Sequence, residues 1–183
     1  MSQNRFELLP QAAAGFRAFS EGCEAFQRET GVSLAEGMLV FAEHISEEYL
    51  AFLDGITPWS RGYFGVDCQL GQAVGMGGFK ARPDTQGSVE IAYCTAPELE
   101  NRGYATRMAR ALVELAHQQP EVRLVIAHTL PTPNASARVL TKCGFQRTGE
   151  VVDPDDGPVW RWECLRGSEI SADFRGVCRA DFP

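Results

Sequence analysis

The chain has 183 residues, of which 44% are hydrophobic and 22% charged, with a formal net charge of −7 and an isoelectric point near 5.0. This length and composition predict one soluble domain with a sizeable buried core. The acidic balance argues against DNA or RNA as the main partner, because phosphate backbones are bound by clustered Lys and Arg.

The N-terminus and the cysteines bear on the compartment. Residues 1–10 lack the basic start and apolar run of a signal peptide, and no apolar stretch approaches the ~18 residues of a membrane span. The six cysteines are scattered, without the C-x-x-C pairs that indicate zinc or redox sites. We therefore expect a cytoplasmic protein with reduced thiols, no metal and no membrane association. The cysteines are Cys23, Cys68, Cys94, Cys143, Cys164 and Cys178.

The first third of the chain predicts a short strand followed by helices. Residues 5–10 are strand-like, and residues 11–30 carry Phe at helical spacing, which indicates one or two helices. Ser46 is a candidate N-cap of a helix that ends before Gly55. The apolar segment 37–44 shows neither the spacing of a helix nor the alternation of a strand, so its structure is not predicted.

The middle of the chain predicts a three-stranded meander and a helix. Residues 62–67 and 72–80 form a predicted hairpin, and residues 89–96 form a third strand. Alternation along that strand places Glu90, Ala92 and Cys94 on one face. A helix with apolar residues at helical spacing then runs to about Gln118.

The remaining elements complete a β-α-β-α-β-β order. Residues 122–129 predict a buried strand, residues 134–144 a short helix capped by Asn134, and residues 145–152 and 159–163 two more strands. This order predicts an α/β (α+β) fold with a mixed, largely antiparallel central sheet flanked by helices. We expect a single domain over residues 1–163, best defined over 58–163, and a C-terminal tail or extension over 164–183.

Residues 98–106, Glu-Leu-Glu-Asn-Arg-Gly-Tyr-Ala-Thr, join the third strand to the long helix. The free backbone N–H groups at such a helix start form an anion site, and Gly103 leaves room for a phosphate. Arg102 and Thr106 would add a positive charge and a hydroxyl. The alternative is that Asn101 simply caps the helix, while the two glutamates complement its dipole.

The chain from Pro58 to Glu163 resembles the GNAT superfamily of acetyl-CoA-dependent N-acetyltransferases, and within it the branch of the ribosomal-protein N-terminal acetyltransferases. The family motif [QR]-x-x-G-x-[GA] is matched by residues 100–105, where Gly103 and Ala105 fit and Glu100 does not. A second family element, K-x-G-F, ends the late helix at residues 142–145. The resemblance implies a GNAT-like acyl-CoA N-acyltransferase fold and direct acetyl transfer from acetyl-CoA to a primary amine.

The resemblance also implies roles for individual residues. Glu90 would be the general base and Ser136 the general acid, since Leu140 stands where many relatives have a Tyr. The residues implied to bind acetyl-CoA are Cys94, Thr95, Ala96, Asn101, Arg102, Gly103, Tyr104, Ala105, Thr106 and Asn134. The alternatives are a Glu90 that is solvated or paired with an Arg, helix capping by Asn134 and Ser136, and Cys94 as a packing residue or a thiol nucleophile.

The acceptor amine stays open at this point. A protein N-terminus, a small amine and an aminoglycoside-like drug all fit, in a monomer or a homodimer. Tyr49, Trp59 and Phe64 either line the acceptor site or belong to the core, and Trp160 and Trp162 are expected in the core. The isolated histidines at positions 44, 117 and 128 are assigned no chemistry. A non-catalytic acyl-CoA-binding regulatory module is the alternative function.

Overall fold

The computed structural model describes residues 5–154 and 156–167, and within them an eight-stranded sheet carries helices on both faces. The strands are β1 (Phe6–Gln11), β2 (Ser33–Leu34), β3 (Gly62–Asp67), β4 (Gln72–Phe79), β5 (Ser88–Thr95), β6 (Leu124–Thr129), β7 (Gln146–Asp153) and β8 (Gly157–Leu165). The helices are α1 (Ala13–Glu21), α2 (Cys23–Thr30), α3 (Glu47–Phe52), α4 (Tyr104–Gln118) and α5 (Ala135–Lys142). Residues Glu36–His44 form a 3₁₀ helix, which includes the segment 37–44 whose structure the sequence did not predict.

The sheet has the order β1-β3-β4-β5-β6-β8-β7, and β2 pairs with β4 beside this path. Neighbouring strands are antiparallel, except for the parallel pairs β5–β6 and β2–β4. The predicted α/β fold with a mixed, largely antiparallel sheet is therefore confirmed. The parallel pair arises because α4 crosses over between β5 and β6.

The two faces of the sheet are covered by different helices. On one face, Phe64 of β3 packs against Phe16, Phe19 and Phe26 of α1 and α2, with ring centroids 4.6 to 5.3 Å apart. On the other face, the apolar stripe of α4 is fully buried. Gly77 of β4 permits that approach, because a Cβ there would lie 3.1 Å from the Met108 Cε atom.

The sheet opens between β5 and β6. The parallel pairing joins Ser88–Glu90 to Leu124–Ile126, whereas the following residues of β5 pair with β4. Within the described residues the two strands therefore diverge after Glu90. We call the opening between Ile91–Thr95 and Ala127–Thr129 the gap.

Several local predictions are confirmed by side-chain contacts. The Ser46 and Asn134 side chains accept hydrogen bonds from the Tyr49 and Ala137 N–H groups and cap α3 and α5. Trp162 is buried in the core and its indole N–H donates to Thr129 Oγ1 at 3.0 Å.

The end of the sheet differs from the predicted tail boundary. β8 runs through Leu165 and buries Cys164, so it passes the predicted end of the domain at Glu163. Residues 168–183 of the expected tail lie outside the described residues. The five cysteines that the structure describes are free thiols, and none of the described helices has the length and apolarity to cross a membrane.

Candidate functional site

The start of α4 presents uncapped backbone donors. Gly103 is the N-cap at φ 82°, and no side chain caps the helix. The Arg107 N–H group donates to the Gly103 carbonyl at 3.1 Å, which leaves the N–H groups of Tyr104, Ala105 and Thr106 without an acceptor inside the helix. We call these three N–H groups the cradle. The alternative in which Asn101 caps the helix is wrong, since Asn101 forms the preceding left-handed turn at φ 60°.

A pocket of about 250 Å³ lies over the cradle. Its lining includes Thr95, Asn101, Gly103 and two cations of α5, Arg138 and Lys142. A Cβ atom at Gly103 would meet nothing within 4 Å. Open space, free N–H groups, the positive end of the helix dipole and two cations together suit a bound diphosphate.

Of the two acidic residues before α4, Glu98 turns away from this pocket and Glu100 lines it. The Glu98 carboxylate accepts a hydrogen bond from the Gly37 N–H group at 3.0 Å, toward the 3₁₀ helix. Glu100, the residue that departs from the family motif, is exposed at the lining of the pocket. The predicted ligand residue Arg102 is also exposed and is absent from that lining, so its side chain lies outside the pocket.

Tyr104 fixes the start of α4 to the sheet. Its hydroxyl donates to Asp67 Oδ2 at 2.8 Å, and Asp67 is 2% exposed. The other oxygen of Asp67 accepts the N–H groups of Gln69 and Leu70 in the β3–β4 turn. Burial, followed by the bond to Asp67, raises the pKa of Tyr104. The side chain is therefore an anchor, while the backbone N–H group belongs to the cradle.

The gap contains a second pocket, of about 610 Å³. It shares Ala135 and Ser136 with the pocket over the cradle, so the two pockets adjoin at the start of α5, and we call them together the groove. Ser136 thus lies where the two pockets meet. Asn134 lines the gap, but its side-chain amide already forms hydrogen bonds within the protein. The Asn134 side chain accepts from the Ala137 N–H group at 2.8 Å and donates to the Leu130 carbonyl at 3.4 Å.

The backbone of β5 turns alternate residues toward the gap. The Lys80 N–H group donates to the Glu90 carbonyl and the Ala96 N–H group donates to the Val74 carbonyl, both at 3.0 Å. In an antiparallel ladder of this register, the even-numbered residues of β5 bond to β4 and the odd-numbered ones face away from it. The predicted backbone contacts from Cys94 and Ala96 are therefore not available, while those of Thr95 are.

Glu90 lies on the gap with two basic partners. Its Oε1 atom is 2.7 Å from Lys80 Nζ and 2.9 Å from His128 Nδ1. The Glu90 and His128 side chains are 24% and 16% exposed, so this pair is largely shielded from solvent. His128 Nε2 is buried without a hydrogen-bond partner among the described residues. An ion pair of Glu90 with an Arg was one of the expected alternatives; the partners are instead Lys80 and His128, and the involvement of His128 was missed.

The Tyr93 hydroxyl is a second group that the sequence did not indicate. It is buried beside the gap and has no hydrogen-bond partner in the described part of the chain. Burial raises the pKa of Tyr93, and the Ser136 hydroxyl opposes that shift from a position that does not meet hydrogen-bond geometry. A protonated phenol and a serine hydroxyl therefore lie at the same point of the groove.

Cys94 does not have the properties of a nucleophile. Burial raises the pKa of its thiol to about 12, so at pH 8 roughly one molecule in 10,000 carries the thiolate. We expect Cys94→Ala to retain at least half of the turnover rate and of the affinity for the acyl donor. Intact-mass spectrometry with acetyl-CoA should show no acetylated protein, and a stable adduct on Cys94 would contradict this expectation.

The comparisons with known proteins place the chain in a family. Residues 35–146 match the family model for the acetyltransferase (GNAT) domain, and the chain therefore belongs to the GNAT acetyltransferases. Its relatives include the type 1 aminoglycoside N(6′)-acetyltransferases of Serratia marcescens (31% identity over 135 residues) and Klebsiella pneumoniae (31% over 121 residues). The alignments cover 74% and 66% of this chain, and they span 65% and 58% of the length of those relatives.

Solved structures confirm the fold. The aminoglycoside acetyltransferase AAC(6′)-Ib in complex with coenzyme A superposes with a TM-score of 0.65 at 22% identity, over 89% of this chain and 96% of that one. A ribosomal-protein-S5-alanine acetyltransferase from Vibrio fischeri superposes with a TM-score of 0.63 at 11% identity, over 91% and 96%. The resemblance to the GNAT family that the sequence indicated is confirmed.

Proposed function

We propose that the chain is an acetyl-CoA-dependent N-acetyltransferase that acts on a primary amine of a small molecule. The observation that carries the proposal is the groove, whose two adjoining pockets hold the cradle in one and the Glu90–His128 pair in the other. Family membership supports it, as do the solved relatives in complex with coenzyme A or acetyl-CoA. The curated relatives make an aminoglycoside amine the first acceptor to test.

The residues of the groove fit the parts of acetyl-CoA in order. The cradle, Arg138 and Lys142 would hold the diphosphate, and the gap-facing backbone of Tyr93 and Thr95 would hold the amide arm. When bound, the cosubstrate supplies an acetyl group activated as a thioester. Among the described residues there is no group of three or more His, Cys, Asp or Glu side chains that could hold a metal ion.

The Glu90–His128 pair fits the removal of a proton from the attacking amine. A carboxylate only accepts hydrogen bonds, so His128 Nδ1 carries the hydrogen directed at Glu90, and in the neutral form of the ring Nε2 then carries the lone pair. Glu90 already accepts from two donors, so we propose that His128 takes the proton at Nε2 and that Glu90 orients the ring. The Glu90 base of the sequence analysis becomes, in this proposal, a positioning residue.

Tyr93 and Ser136 fit the opposite proton transfer. As the new C–N bond forms and the C–S bond breaks, the departing sulfur needs a proton. The Ser136 side chain lies where the gap meets the pocket over the cradle, and Tyr93 lines the gap. Ser136 is the general acid predicted from the sequence, and we propose Tyr93 as a second candidate. The pKa of Tyr93 is raised, and its hydroxyl has no hydrogen-bond partner within the described chain.

Two matched variants separate these donors. We expect Tyr93→Phe and Ser136→Ala each to lower kcat by about ten-fold or more, with the Kd of acetyl-CoA within two-fold of the parent. Stopped-flow kinetics and calorimetry give the two quantities separately. A Ser136→Ala enzyme with full kcat would leave Tyr93 as the donor. A weaker Kd with unchanged kcat would show that these hydroxyls bind the cosubstrate instead.

Calorimetric titration tests the proposed function directly. Wild-type protein should bind acetyl-CoA saturably and NADH not at all. Incubation with acetyl-CoA and a panel of primary amines should then release free thiol and give acetylated products by mass spectrometry. Saturable binding without turnover of any amine would favour the regulatory module, and absence of binding would refute both.

A further inference from the structure

A third pocket, of about 500 Å³, opens on the face of the sheet that carries α1 and α3. It shares Lys80, Ala92 and Tyr93 with the gap. The side chains of Glu90, Ala92 and Cys94 point to this face, away from α4. Glu90 and His128 line the gap and not this pocket, so an amine would reach them where the two pockets adjoin. We call this third pocket the acceptor pocket.

The walls of the acceptor pocket are apolar. They are formed by Phe16, Ile45, Tyr49 and Met76. Burial raises the pKa values of Tyr49 and Cys94 to about 12, so both stay neutral at physiological pH. Among the predicted lining residues, Tyr49 is thus in place, whereas Trp59 and Phe64 are in the core.

The floor of the acceptor pocket is flat and small. Gly78 of β4 pairs with Ala92 of β5. A Cβ atom on Gly78 would come no closer than 3.5 Å to any neighbouring atom. A floor of glycine and alanine between aromatic walls leaves room for a ring or a short alkyl chain.

The charges of the acceptor pocket oppose a polycation. Its ionisable lining residues besides Tyr49, Tyr93 and Cys94 are Lys80 and His44, and no carboxylate lines it within the described chain. Taking several ammonium groups out of water without a paired carboxylate is costly. A single amino group can instead stay at the gap, where Glu90 and Asp156 line the wall.

From this lining we infer that the acceptor is a primary monoamine with an aromatic or alkyl body, in place of a polycationic aminoglycoside or polyamine. The inference rests on the proposed N-acetyltransferase function. The apolar body fills the acceptor pocket, and the amino nitrogen lies at its boundary with the gap. Substrate selection then comes from apolar burial, which scales with the area of the body removed from water.

Competition among three amines tests this inference. With acetyl-CoA saturating, thiol release should give a kcat/KM for 2-phenylethylamine at least 30-fold above the values for kanamycin and spermidine. The kcat/KM for ethylamine should lie between the value for 2-phenylethylamine and those for kanamycin and spermidine, because ethylamine carries the single charge without the apolar body. Kanamycin or spermidine as the preferred acceptor would overturn the inference and leave the N-acetyltransferase function standing.

Two variants and one control tie the preference to the acceptor pocket. Ile45→Asp places a carboxylate in the wall and should lower kcat/KM for 2-phenylethylamine at least ten-fold, with the Kd of acetyl-CoA unchanged. Ala92→Leu adds a larger side chain to the floor and should lower kcat/KM for 2-phenylethylamine more than for ethylamine. This second variant tests the acceptor pocket if Ile45→Asp does not fold. Leu70→Asp, at a 59% exposed turn residue, should leave all rates unchanged.

Two further outcomes would count against the inference. If octanoyl-CoA binds more tightly than acetyl-CoA and Ile45→Asp removes that advantage, the pocket holds the acyl chain of the donor. If acetyl-CoA binds but no monoamine is acetylated, the acceptor class is wrong. Failure of the wild type to bind acetyl-CoA at all would refute the proposed function itself, so the two failures are distinguishable.

Discussion

Gly103→Asp should weaken acetyl-CoA binding by roughly 30-fold or more in calorimetric titration. The glycine lies at the N-cap of α4, and its missing side chain leaves open space over the cradle. A carboxylate ~5 Å from one unit charge of a diphosphate repels it by about 3 kcal/mol at an effective dielectric constant near 20, before screening by salt. Each 1.4 kcal/mol corresponds to about ten-fold in Kd.

The chain offers a close control for that substitution. Gly31 ends α2 at φ 74° and is exposed, and a Cβ atom there would also meet nothing within 4 Å. Gly31→Asp therefore adds the same charge and the same left-handed strain, about 1 kcal/mol, away from the groove. Gly103→Asn keeps the strain without the charge. Equal losses for Gly103→Asn and Gly103→Asp would mean that backbone distortion, not repulsion, weakens binding.

The elements themselves were predictable because their signals are local. Ser46 and Asn134 are cap residues whose partners lie three positions along the chain. Alternation along β5 placed Glu90, Ala92 and Cys94 on one face, and the structure agrees. A local signal for the α5 cations was also present: Arg138 and Lys142 are four residues apart and share a helix face.

The composition of the site was less predictable because it depends on strand register. Glu90 and His128 are separated by 38 positions and meet because Glu90 pairs with Ile126 in the parallel register of β5 and β6. Alternation gives the face of each side chain but not the offset between strands. For the same reason, the sequence could not show that Cys94 and Ala96 bond to β4 while Thr95 faces the gap.

Substitutions at the Glu90–His128 pair have the largest expected effect on turnover. His128→Asn should lower kcat by about 100-fold, the lower end of what general acid–base catalysis contributes, with the Kd of acetyl-CoA within two-fold. Asparagine retains a polar group of similar reach but no basic nitrogen. The comparison of kcat with Kd excludes a merely structural role, because a collapsed gap would also weaken binding of the cosubstrate.

Substitutions of Glu90 then decide which of the two residues takes the proton. Glu90→Gln keeps an oxygen that accepts the His128 Nδ1–H group, so it should cost less than ten-fold in kcat if Glu90 positions the ring. Glu90→Leu removes that acceptor, so it should lower kcat nearly as much as His128→Asn does. If the residues act as a unit, the double variant Glu90→Leu/His128→Asn should be little worse than either single one.

The opposite ranking would restore the interpretation drawn from the sequence. If Glu90→Gln abolishes turnover while His128→Asn retains most of it, the carboxylate itself is the base and His128 is its hydrogen-bond donor. Lys80→Met distinguishes the remaining possibility, since it removes the 2.7 Å ion pair but leaves the His128 contact. A large loss of kcat there would mean that the charge of Lys80 sets the basicity of Glu90, so the three side chains would act together.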